Sequence, residues 1–192
     1  IAVNPAAVVP IPRGLSPIAA ATAVDAGATA FHAVTRTAGV GKGDTVLIIG
    51  IGGLGGYGVQ MARTAGAGAV IAADVDGQAL VRAKSLGADD TILIEPKGSL
   101  GRAVKLMTDG GVDIAIEFVG RAATVDAAVK SLRPGGRAVA VGVGSEPITT
   151  IPPVLWSNNE YTLSGSYGSL PGDAESVLAS LASGALQPPP MS

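Results

Sequence analysis

Cysteine is absent from the 192-residue sequence, which excludes disulfides, thiolate chemistry and cysteine-ligated metal within the chain. A chain without cysteine is compatible with the cytoplasm, where disulfides are rare, and we expect a cytoplasmic protein. Long apolar runs are absent too, since none approaches the roughly 18 residues of a membrane span. No signal peptide opens the sequence. We therefore expect no association with a membrane.

Charged residues are also scarce, at 15% of the sequence, and the formal net charge is −2. No basic cluster is present, so the chain lacks the electrostatic surface that binds nucleic acids or anionic lipids. Hydrophobic residues make up 47%, which excludes a disordered chain and suffices for a sizeable core. These features indicate a globular protein that binds no nucleic acid.

Apolar, strand-like runs alternate with helical stretches along most of the sequence. The predicted strands cover residues 45–49, 69–73, 91–94, 113–118, 137–141 and 161–165. The predicted helices cover 16–24, 29–38, 53–64, 78–86, 100–107, 122–132 and 173–183, with Gly27 separating the first two. Such alternation predicts an α/β, doubly wound parallel sheet with helices on both faces. A glycine-rich turn after the first strand favours the six-stranded Rossmann order 3-2-1-4-5-6.

The residues after the first predicted strand match the dinucleotide-binding pattern G-x-G-x-x-G. The motif consists of Gly50, Ile51, Gly52, Gly53, Leu54 and Gly55. The first glycine permits a tight turn, the second lets the backbone approach a pyrophosphate, and the last packs the helix against the sheet. The N-terminus of that helix supplies free N–H groups to phosphates. This strand–turn–helix context favours a dinucleotide site over a tight turn without a ligand.

The second predicted strand leads into Asp74 and Val75, about twenty residues beyond the glycine motif. A carboxylate at this place accepts hydrogen bonds from the adenosine ribose hydroxyls and repels the additional phosphate of NADP. No basic residue follows between Val75 and Leu80, so the sequence favours NAD. Asp76 is interpreted as a solvated turn residue.

Other nucleotide-binding patterns fit less well. Gly41-Lys42-Gly43 precedes a strand, whereas the glycines and lysine of a Walker A loop follow one. A methyltransferase loop usually has an acidic residue before its first glycine, and here that position is apolar. The motif by itself does not distinguish a nicotinamide dinucleotide from a flavin dinucleotide.

Further landmarks extend over almost the full chain. They lie at residues 25–34, 43–46, 83–89, 117–120, 132–136 and 165–168. Together with the glycine motif, they make the sequence resemble the medium-chain dehydrogenases, specifically the zinc-dependent alcohol dehydrogenase branch. The resemblance implies hydride transfer between an alcohol or carbonyl substrate and NAD(H), with zinc as a Lewis acid in the intact enzyme.

The resemblance also implies a domain organisation, because family members combine a catalytic domain built from both chain ends with a central Rossmann domain. Residues 1–24 would be a flank of the catalytic domain and a junction helix, and residues 25–184 the NAD-binding domain. Residues 185–192 would be a truncated return to the catalytic domain. We expect this chain alone to bind NAD weakly and to be inactive.

Several positions receive roles from the resemblance. Thr29 corresponds to a residue beside the nicotinamide ring, and Phe118 and Val119 correspond to the loop near the adenosine. The residues implied for the wall of the nicotinamide pocket and for the partners of its carboxamide are Val141, Gly142, Val143, Gly165 and Tyr167.

Asp25 falls where most of the family has a cysteine ligand of the catalytic zinc, and a carboxylate can replace it. From the residues alone, Asp25 could equally cap a helix that begins near Ala26. The resemblance places the other zinc ligands upstream, so we expect no zinc in this chain. His32 is interpreted as a packing or hydrogen-bonding residue, and Glu117 as a partner of nearby backbone.

Two rival functions remain open. One is a zinc-free quinone or enoyl reductase of the same superfamily; such enzymes usually prefer NADP, so Asp74 and Asp25 argue against it. The other is a non-enzymatic NAD-sensing module, which the family-like residues before the first strand argue against. Members of the family commonly dimerise by pairing their last strands, so we expect a homo-oligomer formed through residues 161–166.

Overall fold

The computed structural model describes residues 8–148 and 151–189, and its centre is a six-stranded parallel β-sheet. The strands are β1 (Thr45–Ile49), β2 (Ala69–Asp74), β3 (Asp90–Leu93), β4 (Val112–Glu117), β5 (Leu132–Ala140) and β6 (Thr162–Gly165). Their order is β3-β2-β1-β4-β5-β6, and every neighbouring pair is parallel. The predicted doubly wound α/β fold and its strand order are confirmed.

Helices pack on both faces of the sheet. The N-terminal helical segment contains α1 (Pro17–Thr22), a π-helical turn (Ala23–Gly27), α2 (Ala28–Phe31) and a second π-helical turn (His32–Thr37). The later helices are α3 (Gly53–Thr64), α4 (Gly77–Ser85), α5 (Leu100–Met107), α6 (Ala122–Lys130), α7 (Pro153–Asn158) and α8 (Asp173–Ala182). Sequence patterns miss α7 because none of its residues is buried, so no apolar face marks it. Within the described ranges, no helix is long and apolar enough to cross a membrane.

The central strand β1 is buried on both faces of the sheet from Val46 to Ile49. On one face, Val46 and Ile48 belong to the larger apolar cluster, together with residues of α3, α8 and the N-terminal segment. On the other face, Leu47 and Ile49 belong to a second cluster with residues of α5 and α6. A strand that is covered on both faces reads as a continuous apolar run, and for that reason the sequence predicts both ends of β1 correctly.

The N-terminal helical segment is continuous from Pro17 to Thr37, so the predicted break at Gly27 is wrong. Gly27 is buried, and a Cβ atom there would lie 2.8 Å from Cγ1 of Val177 and 3.7 Å from the ring of Tyr57. The glycine therefore permits close packing and does not interrupt the helix. The predicted domain boundary between residues 24 and 25 falls inside this segment and stays a prediction.

Strand β5 begins at Leu132, earlier than the predicted start at residue 137. Leu132 is fully buried and pairs with Val112, and the register shifts before Ile114 pairs with Arg137. Gly135 lies in the intervening stretch with a φ of 75°, a conformation that favours glycine. In the sequence this stretch resembles a turn, so the residue pattern does not indicate that the strand begins at Leu132.

Candidate functional site

A cleft of about 800 Å³ opens beside the carboxyl ends of β1, β2, β3 and β4. Ligands of open α/β sheets bind at this edge, near the point where the strand order reverses. The cleft brings together nine of the predicted site residues: Gly50, Gly52, Gly53, Leu54, Gly55, Asp74, Val75, Phe118 and Val119. They come from three segments that the fold places side by side.

The glycines of the motif are required for different reasons. Gly50 has a φ of 87°, and a Cβ atom there would lie 2.6 Å from Cγ2 of Val119. A Cβ atom on Gly55 would lie 1.9 Å from the carbonyl oxygen of Gly50, so helix and turn meet backbone to backbone. Gly52 is exposed, and among the described residues no atom other than those of Gly52 and its two chain neighbours lies within 4 Å of the place its Cβ would take. That open space allows a ligand to approach the backbone closely.

Helix α3 begins at Gly53, directly after the turn, and its first residues line the cleft. Gly52 is the N-cap, and no capping side chain accepts a hydrogen bond from the first turn. The N–H groups of Gly53 and Leu54 are therefore available to an anion, and the partial positive charge of the helix end adds to the attraction. A diphosphate group fits this chemistry.

Asp74 ends strand β2 at the cleft, where two backbone groups hold its carboxylate. Oδ2 accepts a hydrogen bond of 2.6 Å from the N–H of Ile51, inside the glycine motif. Oδ1 accepts a hydrogen bond of 2.9 Å from the N–H of Asp76. The residue is half-buried, so its carboxylate is oriented and still accessible from the cleft. Such a carboxylate is suited to accept hydrogen bonds from sugar hydroxyls.

Asp76 is exposed, as predicted for a turn residue, but it also has a structural role. It is the N-cap of α4, and its side chain accepts hydrogen bonds from the N–H groups of Gln78 (2.8 Å) and Ala79 (3.2 Å). Its carboxylate also lies 3.7 Å from the guanidinium group of Arg82. Aspartate is a favoured N-cap, so the sequence does contain a signal for this role.

Glu117 is fully buried at the end of β4 and organises the loop that follows. Its Oε1 atom accepts hydrogen bonds from the N–H groups of Val119 (2.7 Å) and Gly120 (2.8 Å) and from the hydroxyl of Thr124 (2.7 Å). Among the described residues, no group bonds to its Oε2 atom. The predicted bonding of Glu117 to nearby backbone is confirmed, and it holds Phe118 and Val119 in place as part of the cleft wall.

Half of the cleft lining consists of residues that the sequence does not single out. They are Ile94, Glu95, Pro96, Gly98 and Leu100 after β3, and Arg121, Ala123, Thr124 and Ala127 around the start of α6. Parallel strands all end at the same edge of a sheet, so the segment after β3 is expected at this cleft once the strand order is known. That topological signal would indicate residues 94–100 without any motif.

The other residues implied by the resemblance lie outside the cleft lining, in α2 or at and after the ends of β5 and β6. They are Thr29, Val141, Gly142, Val143, Gly165 and Tyr167. Val143 and Tyr167 are 81% and 88% exposed, so both side chains are accessible. Gly142 meets the loop after β4, where a Cβ atom would lie 2.0 Å from the backbone nitrogen of Gly120. Their roles at the nicotinamide stay predictions.

Asp25 lies inside a π-helical turn of the N-terminal segment and is exposed. It does not cap a helix near Ala26, because the chain is already helical before it. In the part of the chain that the structure describes, no three histidine, aspartate or glutamate side chains come together as metal ligands. One carboxylate does not make a zinc site, so these residues alone do not fit a catalytic zinc ion. The role of Asp25 as a ligand stays a prediction.

His32, the single histidine of the sequence, bonds to the buried Asp173 at the start of α8. Its Nδ1 atom lies 3.1 Å from Oδ2, and Nε of Arg36 donates a hydrogen bond of 2.7 Å to Oδ1. The N–H of Leu170 donates another, of 2.8 Å. Burial acts to raise the pKa of Asp173, but these hydrogen bonds and the charge of Arg36 outweigh burial and hold the pKa below its usual range. The predicted hydrogen-bonding role of His32 is confirmed.

Comparison with known proteins identifies the family. Residues 53–183 match the family model described as zinc-binding dehydrogenase, and this match covers more than half of the chain. The chain therefore belongs to the zinc-binding dehydrogenase family. Sorbitol dehydrogenase of Bacillus subtilis (strain 168) is 32% identical over 137 residues, which are 71% of this chain and 38% of that protein.

Solved structures show the same relationship. A NAD-dependent alcohol dehydrogenase matches with a TM-score of 0.87 and 28% identity, over 96% of this chain and 54% of its own length. A second structure is that of a protein from Sinorhizobium meliloti 1021, described as a zinc-binding dehydrogenase and bound to NADP. It matches with a TM-score of 0.81 and 31% identity, over 92% of this chain and 52% of its own length. The chain thus spans between 38% and 54% of these three relatives. It matches one domain-sized part of proteins that are described as dehydrogenases.

Proposed function

We propose that this chain is the NAD-binding domain of an NAD-dependent alcohol dehydrogenase. The observation that carries the proposal is the hydrogen bond between the Asp74 carboxylate and the N–H of Ile51, which joins the acidic residue to the glycine turn at one cleft. A turn that is open at Gly52, an uncapped helix end and an oriented carboxylate together fit a dinucleotide.

The pyrophosphate, the adenosine ribose and the adenine ring of the cofactor each have residues in the cleft that are suited to hold them. Gly52 and the first turn of α3 would bind the pyrophosphate, and Asp74 would accept hydrogen bonds from the adenosine ribose. Ile94 and Phe118 supply apolar surface to the cleft, which suits the adenine ring. When bound, the nicotinamide ring accepts or donates a hydride. The domain's own contribution is to bind the cofactor and orient it.

The charges near the ribose end favour NAD over NADP. The carboxylate of Asp74 would repel a phosphate group on the ribose. Arg82, a basic residue of α4, lies 3.7 Å from the carboxylate of Asp76 and is therefore paired with an acidic residue. One similar structure is a NAD-dependent enzyme and another contains NADP, so membership of the family leaves the preference open. The local charges therefore support NAD.

For an intact enzyme of this family we infer oxidation of an alcohol, or reduction of the matching carbonyl compound, in the cytoplasm. Asp25 would be one zinc ligand there and would need partners from outside this chain. This chain alone would bind NAD weakly and turn over no substrate, because the substrate contacts and the metal site would be incomplete.

A homo-oligomer is also proposed, formed through strand β6 at the end of the sheet. An outermost strand leaves backbone donors and acceptors free to pair with a second copy. Sedimentation velocity over a rising concentration series tests this association. We expect a dimer at high concentration, whereas a monomer at every concentration would contradict the proposal.

Calorimetric titration with NAD and with NADP tests the proposed function. We expect NAD to bind more tightly than NADP, and this preference to disappear in Asp74→Ala. Asp90→Ala is the matched control, because Asp90 is exposed and lies at the far end of β3, where it pairs with Ile71. It should leave both affinities unchanged. Failure of the folded chain to bind either nucleotide would contradict the assignment.

A further inference from the structure

Gln60 is a buried polar residue of α3, and all the hydrogen-bonding groups of its side chain are used. Nε2 donates to the carbonyl oxygen of Gly56 (3.1 Å), one turn earlier, and to the carbonyl oxygen of Gln187 (2.9 Å). Oε1 accepts a hydrogen bond from the N–H of Gln187 (2.9 Å). One side-chain amide therefore binds the N–H and the carbonyl of a residue 127 positions later in the chain.

The segment that Gln60 holds, residues 186–189, follows α8 and packs against α3. Leu186 is buried, and its N–H donates a hydrogen bond of 3.1 Å to the carbonyl oxygen of Ser180. Pro189 packs over Gly56, where a Cβ atom would lie 2.7 Å from the Cβ and 2.9 Å from the Cγ of the proline. A polar contact and a steric contact thus fix the segment against the same helix.

Gln60 recognises the main chain of the segment. Two of its three side-chain hydrogen bonds run to the backbone of Gln187, whose side chain is exposed. A side-chain amide offers the same donor and acceptor as a peptide group, so Gln60 bonds to the segment as a neighbouring strand would. If the position only filled space, an apolar side chain of similar size would do so without the cost of burying an amide.

We propose that Gln60 is a positioning residue that fixes the path by which the chain leaves the Rossmann domain. Its pairing with the backbone of Gln187, here termed the amide clamp, ties residues 186–189 to α3. The glycine turn lies at the N-terminus of the same helix. Residues 186–189 and the cleft are therefore both attached to α3. The amide clamp does not depend on the ligand, since its contacts lie outside the cleft lining.

Hydrogen exchange measured by NMR on the full chain tests the amide clamp at one position. In Gln60→Ala, and in Gln60→Met, which nearly preserves the volume, the N–H of Gln187 loses its acceptor. It should then exchange at least about tenfold faster. The N–H of Ile48 in β1 should keep its protection, which separates local release of the segment from loss of the fold.

Gln187→Ala is the matched control, because it keeps the N–H and the carbonyl that Gln60 binds. Protection at position 187 should therefore be retained in this variant. Equal protection in Gln60→Met and the unaltered chain would overturn the proposal. Loss of protection in Gln187→Ala would overturn it as well, because the anchor would then be the Gln187 side chain. Titration with NAD is a separate measurement, so failure of the proposed cofactor binding would leave the exchange result intact.

Discussion

The N–H of Ile51 lies 2.6 Å from the Oδ2 atom of Asp74, so the glycine turn after β1 and the acidic residue of β2 form one hydrogen-bonded unit. The other carboxylate oxygen is held by the N–H of Asp76. These contacts restrict the carboxylate before a ligand arrives, and such preorganisation reduces the entropy lost on binding. Val119, which covers Gly50 from the loop after β4, completes the unit.

Two glycines of the motif should respond differently to alanine. In Gly55→Ala the new methyl group would overlap the carbonyl oxygen of Gly50, so the free energy of unfolding should fall by about 2 kcal/mol or more. In Gly52→Ala the methyl group would contact no described residue beyond its two chain neighbours, so the free energy of unfolding should change by less than about 0.5 kcal/mol. Urea denaturation measures both values.

Gly52→Ala is therefore the variant that isolates ligand approach from stability. Its affinity for NAD should fall by about tenfold, which corresponds to about 1.4 kcal/mol, because the methyl group occupies space needed by the pyrophosphate. Calorimetry on the folded variant checks the affinity. Unchanged affinity would show that the open space at Gly52 is not where the ligand lies.

Asp173 should make the stability depend on acid pH. Its pKa is lower in the folded state than in the unfolded state, so its contribution is complete above the unfolded value of about 3.9 and is lost as the pH falls through the folded pKa. Asp173→Asn removes the charge that His32 and Arg36 face, and should cost about 2 kcal/mol at neutral pH.

The difference in unfolding free energy between Asp173→Asn and the unaltered chain should shrink as the pH is lowered below about 4. Other carboxylates with a lowered pKa, such as Asp113, titrate in both proteins and cancel in this difference. Urea denaturation at a series of pH values supplies the measurement. A difference that stays constant down to pH 2 would contradict the assigned role.

Zinc should not bind stoichiometrically to this chain. Asp25 is exposed, and no set of three ligands is assembled among the described residues. Atomic absorption after equilibration with zinc and gel filtration measures the metal content. One zinc ion per chain, lost in Asp25→Ala, would show that the chain itself completes the site.

The central strand of the sheet was predictable because its own residues form a continuous apolar run. Val46 to Ile49 are buried on both faces, so their apolar character follows directly from their place in the fold. Gly27 shows the opposite case. Its meaning depends on contact with Val177 and Tyr57, which lie far along the chain, and no local pattern distinguishes a packing glycine from a helix-breaking one.

The site was predictable only where the backbone demands a particular residue type. Gly50 and Gly55 mark the turn because a side chain there would overlap neighbouring atoms. Ile94 and Arg121 carry no motif, and they reach the cleft because parallel strands end at one edge. Gln60 binds the backbone of Gln187, and any residue type at position 187 would offer the same N–H and carbonyl groups. The sequence therefore contains no signal for this contact.

Amide chemical shifts of the ¹⁵N-labelled chain, recorded during titration with NAD, test most directly whether the cleft binds the dinucleotide. We predict the largest changes at Gly52, Gly53, Val75 and Val119, which line the cleft, and no change at Val177 in the core. Shift changes located away from the cleft, or absent at saturating NAD, would contradict the assignment of this domain as a NAD-binding domain.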